Sequence, residues 1–185
     1  MKDRVSESGI IEDRELAEYY SVMARRYMRI PCRRVLKRVL AKGVEKTLPE
    51  IRFKGIDLSP MMVELAKKNA IDEGIGDKIE FEVGSAYSLP CENHSIDLLL
   101  CISTLHHLDR PADFFSEVAR ALKEGGAFVI VDFHRDTSSI IVGIFNLFWR
   151  AFFGKHPKAK NGFLESVRSS YTLEEYKSFL EQSKL

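Results

Sequence analysis

The sequence is poor in cysteine. There are three in 185 residues, Cys32, Cys91 and Cys101, odd in number and widely spaced. That pattern excludes a disulfide framework and a CxxC metal site, and it points to a reducing, cytoplasmic setting. No run approaches the ~20 apolar residues of a membrane span. The first residues, MKDRVSESGIIEDREL, place acids where a secretory leader needs an apolar stretch. Secretion and insertion across a membrane are therefore not expected. Charge excess is missing too, with a net +1 from 28 basic and 27 acidic side chains. No internal repeat or low-complexity linker divides the chain. What is present, 45% hydrophobic against 30% charged positions, suits one soluble domain with a sizeable core. It excludes a disordered, collagen-like or coiled-coil chain.

Apolar periodicity supplies the architecture. Leu16, Tyr19, Tyr20, Met23 and Tyr27 fall on one face of a helix over Asp13 to about Tyr27, which Pro31 interrupts. A second helix is expected over Arg33 to Lys42, with Gly43 as its C-cap. Strands and helices then alternate. Ile51 to Leu58 reads as a strand ending in an acid, followed by Ser59-Pro60 as helix N-cap and first position, with the helix running to about Glu73. Lys78 to Val83 alternates like a strand, and Ile96 to Ile102 (IDLLLCI) is a continuous apolar run of the kind buried on both faces. A helix over Arg110 to Leu122 ends in Lys123-Glu124-Gly125-Gly126, and Ala127 to Phe133 is a further buried strand. Beyond Asp136 come an unusually apolar helix, a basic loop and a polar helix opened by Thr172, with Glu175 in a capping-box relation. This order argues for an α/β domain with a mostly parallel sheet.

In open parallel sheets ligands sit beyond the carboxyl ends of the strands. Here those ends are Asp57, Gly84-Ser85-Ala86, Cys101-Ile102-Ser103 and Asp132-Phe133-His134. An acid in the position of Asp57 can accept both hydroxyls of a ribose, and a solvated helix cap would look the same.

Taken together, GIDLSPMMVELAKKNA, FEVGSAYSLP, IDLLLCISTLHHL and FFSEVARALKEGGAFVIVDF resemble the class I S-adenosylmethionine-dependent methyltransferases, and among them the small-molecule branch of the ubiquinone and menaquinone biosynthesis enzymes. The resemblance covers about Glu50 to His134. It implies a Rossmann-like three-layer sandwich in one domain: a helical lid over 1–43, a cofactor-binding core over 50–134 and a helical substrate-side region over 136–185. It also implies S-adenosylmethionine as cofactor and a small-molecule methyl acceptor, with an apolar acceptor left open. Asp57 would bind the ribose hydroxyls, Leu58 and Met62 would pack on the adenosine, and Ser85 and Ala86 would lie near the adenine amino group. Cys101 and Ile102 would lie by the methionine moiety, with Tyr27 or Tyr20 covering the cofactor. Ser85 departs from the family's usual acid, and a neutral serine binds a donor less strongly than a charge does.

The larger departure is the glycine-rich turn after the family's first strand. No GxGxG is present, and only seven residues, Val44 to Glu50, separate Gly43 from the strand at Ile51. The family's first strand and its closing C-terminal hairpin are both unaccounted for. The leading account is a strand-plus-helix segment of about twenty to thirty residues missing near Gly43. Its rival is a true deletion that gives a rearranged, cofactor-free protein.

His106 is the candidate general base, because methyl transfer is an in-line displacement in which the enzyme positions a nucleophile and removes its proton. A packing or capping role is the alternative for His106 and for His107. Asp132, His134 and Asp136 are expected near the substrate mouth. Ile140, Ile141, Ile144, Phe145, Phe148, Trp149, Phe152 and Phe153 form an aromatic stripe. Core packing is its default reading, with a substrate lid or a homodimer contact as the alternative. Asn146 and Arg150 leave an interfacial helix open but not a span. Nine basic residues against one acid between Arg25 and Lys46 read as a solvated helix face, since no RNA-binding motif accompanies them, and nucleic acid is not expected. Two rivals to a methyltransferase stand: a degenerate methyltransferase-like interaction module, and a nicotinamide-dependent oxidoreductase, which leaves GSAYSLP and LHHL without a role.

Overall fold

A computed structural model describes residues 11, 13–23, 52–154, 160–183 and 185. The helix expected over Arg33 to Lys42, Tyr27 and the Gly43 junction lie outside the described residues. The chain forms two compact units, one ending at Ser85 and one beginning at Ala86.

The first unit contains α1 (Arg14–Met23), β1 (Phe53–Asp57), α2 (Pro60–Asp72) and β2 (Ile79–Val83). The strands pair in parallel, from Phe53 opposite Ile79 to Asp57 opposite Val83. Ser59 starts α2 as expected. Its hydroxyl oxygen accepts the Met62 N–H at 3.3 Å, its own N–H donates to Asp57 Oδ1 at 2.8 Å, and Pro60 occupies the first turn, where a missing N–H costs nothing. Val63, Leu65 and Ala70 are buried along α2. On α1, Ala17 and Ser21 are buried, and the Ser21 hydroxyl accepts the Asn69 amide at 2.7 Å.

The second unit contains β3 (Ile96–Ile102), a 3-10 turn at Leu105–His107, α3 (Pro111–Ala121), β4 (Leu122–Val131), α4 (Ser139–Phe153), α5 (Gly162–Ser169) and α6 (Leu173–Gln182). β3 and β4 are parallel. Phe114, Phe115 and Val118 of α3 are buried with Cys101, Leu105, Leu108, Leu122 and Tyr171 in one core. Full burial of a side chain the size of Phe115 contributes about 1.5–3 kcal/mol.

The structure corrects three sequence expectations. The Lys123-Glu124-Gly125-Gly126 stretch is not a connection between helix and strand. β4 already begins at buried Leu122, opposite Ile96, and the next regular pair is Leu98 with Ala127, so the four residues bulge out of the ladder against Asp97. Lys123 Nζ reaches both Asp97 oxygens at 2.9 and 2.8 Å. Gly125 takes a left-handed φ of 73°, and a Cβ on Gly126 would lie 2.9 Å from the Lys123 carbonyl, so the bulge requires both glycines. Second, β3 is not covered on both faces, and Leu100 is 40% exposed. Among the described residues β3 has a single ladder partner, and Val83 and Phe53 of the other strand pair are likewise exposed. The strand that the resemblance implies ahead of β1 has no counterpart among the described residues, which form two separate two-stranded sheets. Third, the aromatic stripe is not core. Ile140, Ile141, Ile144, Phe145 and Phe148 of α4 are all exposed, while Trp149 is half-buried beside Phe163 of α5, and the side chains of Phe152 and Phe153 lie outside the described residues.

Candidate functional site

The parallel registers decide which residues share an edge. In the first unit the Gly84 N–H donates to the Asp57 carbonyl at 3.0 Å, so the carboxyl ends of β1 and β2 are level and Ser85 follows immediately on the edge that Asp57 closes. Asp57 is exposed, with one carboxylate oxygen turned back to the Ser59 N–H. Leu58 beside it is 52% exposed and Met62 is half-buried. The Asp57 carboxylate and the Leu58 side chain beside it are thus both open to solvent. Tyr20 is half-buried and meets Tyr19 edge-on.

In the second unit β3 and β4 end level, since the Ser103 N–H donates to the Val131 carbonyl at 2.8 Å. Cys101 is buried. Burial first, and then the Asp132 charge, push its thiol up to about 12, so it stays protonated and behaves as a small apolar wall rather than a nucleophile. Ala86 packs against the core that contains Cys101.

Asp132, the first residue beyond β4, turns its carboxylate to His106. Oδ1 accepts from the ring Nδ1 at 2.5 Å and from the Phe133 N–H at 2.7 Å, while Oδ2 accepts the His106 backbone N–H at 3.1 Å. The two side chains are 2% and 1% exposed. The His106 ring lies 4.0 Å from that of His107 and meets Phe133 edge-on at 5.3 Å. The arrangement ties the 3-10 turn to the end of β4. A general base must come within hydrogen-bond reach of the proton it takes, and a ring this closed is held in place rather than offered. The spacing marks His106 and Asp132 separately but does not join them. The signal that joins them is topological, because adjacent parallel strands bring the segments just past their carboxyl ends together.

The other residues expected at the mouth have structural partners. His134 Nε2 accepts the Leu173 N–H at 3.1 Å at the start of α6. Arg135 donates to the Ser170 carbonyl at 3.1 Å and to Glu175 Oε1 at 2.6 Å, and Glu175 completes the capping box with Thr172. Asp136 is exposed. The sequence also gives no sign of the Arg120 clamp, whose guanidinium donates to the carbonyls of Leu89 (3.1 Å) and Cys91 (3.0 Å), to Asn93 Oδ1 (2.8 Å) and to Glu117.

Two of these carboxyls make stability depend on pH. Hydrogen bonds from Arg120 hold Glu117 below the ordinary 4.5. Burial alone would raise Glu175, but the Thr172 N–H and Arg135 outweigh it and hold that group low as well. A carboxyl that is depressed on folding stabilises the fold above its unfolded value, and the contribution fades as pH falls through the folded value. Urea denaturation from about pH 6 to about pH 3 is therefore expected to show a falling midpoint below 4.5, with a shallower fall in Glu117→Gln.

These observations define an α/β protein of Rossmann-like fold whose candidate site residues lie at the carboxyl ends of parallel strands. Residues 38–130, just over half the chain, match the family described as a methyltransferase domain, and the chain belongs to that family, the class I methyltransferases. It is 34% identical to ajmaline N-methyltransferase of Rauvolfia serpentina over 48% of this chain and 31% of that one. It is 33% identical to the uncharacterized methyltransferase YcgJ of Bacillus subtilis over 47% of this chain and 34% of that one. The chain thus spans about a third of the length of the curated relatives it matches. A SAM dependent methyltransferase from Aquifex aeolicus shares the fold, with a TM-score of 0.53 over 72% of this chain and 58% of that one, at 19% identity.

Proposed function

We propose that the chain uses S-adenosylmethionine to methylate a small molecule. The observation that carries this reading is the exposed Asp57 carboxylate at the carboxyl end of β1, with exposed Leu58 beside it, inside the segment that matches the methyltransferase domain. Asp57 would accept the ribose hydroxyls, Leu58 and Met62 would pack on the adenosine, Ser85 and Ala86 would meet the adenine, and Cys101 would supply an uncharged wall for the methionine end. Bound, the cofactor supplies an electrophilic methyl group on a sulfonium.

What remains for the protein is to position the acceptor and manage its proton. His106, locked to Asp132, acts in this reading as a positioning residue that fixes the turn after β3. An amine acceptor suits such a site, because its lone pair attacks without prior proton removal. A small-molecule nitrogen acceptor also agrees with the name of the Rauvolfia relative. The absent glycine turn favours one second reading, a cofactor-free interaction module.

Methyl-labelled S-adenosylmethionine, incubated with the protein and panels of small amines and alcohols, tests the proposal. Label is expected in amines, with a pH profile that follows the amine's own ionisation and is kept in His106→Gln. Transfer to alcohols that is lost in His106→Gln would restore that residue as the base, and binding without transfer to any acceptor would favour the interaction module.

A further inference from the structure

We propose that α4 is an interfacial helix that seats this protein on an anionic lipid surface. Helical spacing places Ile140, Ile141, Ile144, Leu147 and Phe148 on one broad face. That face is uncovered, with Ile140 75%, Leu147 71% and Phe148 58% exposed. Beside that face Phe145 is also 58% exposed, and half-buried Trp149 lies next to Phe163 of α5. An exposed apolar strip of this size on a soluble surface marks an interaction site.

Charge selects the occupant. From Thr137 to Leu164 the sequence contains no Asp or Glu, where a stretch of that length at the chain's average would hold about four. Arg150, exposed near the end of α4, and exposed Lys160, just before α5, lie within it. A second copy of this chain or an apolar peptide would be indifferent to that exclusion of acids. A negatively charged bilayer is not, because every carboxylate near it is repelled and each Lys or Arg attracted. At 15 residues α4 measures about 22 Å, short of the ~30 Å hydrocarbon core, so it lies in the interface and does not cross it. Arg150 can extend to the headgroups while the aliphatic side chains enter the acyl boundary.

Sedimentation of the 185-residue protein with vesicles tests this. The protein is expected to pellet with phosphatidylglycerol–phosphatidylcholine vesicles and to bind phosphatidylcholine alone at least about tenfold more weakly, with added salt releasing it. Ile144→Glu/Phe148→Glu is expected to abolish binding, and Ile140→Glu, at the most exposed position, to weaken it about tenfold with an unchanged thermal melt. No binding to anionic vesicles, equal binding to both vesicle types, or a dimer in vesicle-free solution that Ile140→Glu dissociates would each overturn the proposal.

Discussion

Replacing Asp132 with alanine is expected to destabilise the protein by about 3–5 kcal/mol, the largest loss predicted for any single polar side chain described above. One carboxylate serves three donors: the His106 ring, the His106 backbone N–H and the Phe133 backbone N–H. Truncation leaves all three facing a site from which water is excluded, since both side chains of the pair are almost fully buried. Each orphaned donor costs about 1–3 kcal/mol. Against a typical total of about 5–15 kcal/mol, the loss is large enough to see as a drop in the urea midpoint at pH 7. Asp132→Asn retains one acceptor but turns an N–H₂ toward a donor, so it should fall between wild type and alanine. His106→Gln leaves the carboxylate its two backbone donors and should cost less than Asp132→Ala. Equal stability of Asp132→Ala and wild type would mean that the pair does not hold the turn to β4.

The same pair shows where a sequence stops being legible. α2 was readable almost residue by residue, because Ser59-Pro60 is a start signal that acts locally. The capping box at Thr172 was readable for the same reason. β3 was correctly bounded by its apolar run, yet its degree of burial was not, because burial depends on what stands on either side, and among the described residues β3 has a ladder partner on one side only. The glycines of Lys123-Glu124-Gly125-Gly126 signal a break equally well for a turn and for a bulge. Only the pairing of Ile96 with Leu122 distinguishes them. In α4 the stripe of Ile and Phe has the period of a packed helix, and period alone does not say whether the protein or something outside it covers the face. Asp57 closes β1 in the first unit, and Cys101 lies one residue from the end of β3 in the second, as the strand pattern implies. The closure of His106 by Asp132 required the parallel register of β3 and β4.

Removal of the Asp57 carboxylate is expected to have the largest effect on ligand binding. Hydrogen bonds to a charged acceptor are worth about 1.5–3 kcal/mol each, so losing the pair offered to the two ribose hydroxyls should weaken the cofactor by at least about a hundredfold. Asp57 also accepts the Ser59 N–H that starts α2, and Asp57→Ala therefore mixes a folding effect with a binding effect. Asp57→Asn separates them. Its amide oxygen can still accept from Ser59, while the charge and one acceptor are gone, so the melt should stay close to wild type and affinity should fall by about tenfold or more. Leu58→Ala, at an exposed position, should change affinity without changing stability. The absent glycine turn sharpens the question, because Asp57 stands at the end of β1 while the backbone that the family brings up to the methionine end is not in the sequence.

Isothermal titration of the 185-residue protein with S-adenosylhomocysteine, for wild type beside Asp57→Asn, tests the central claim most directly. The account predicts one-to-one binding in the wild type and a loss of about tenfold or more in the variant at unchanged thermal stability. No binding by a folded wild-type protein, or equal binding by the two, would contradict it.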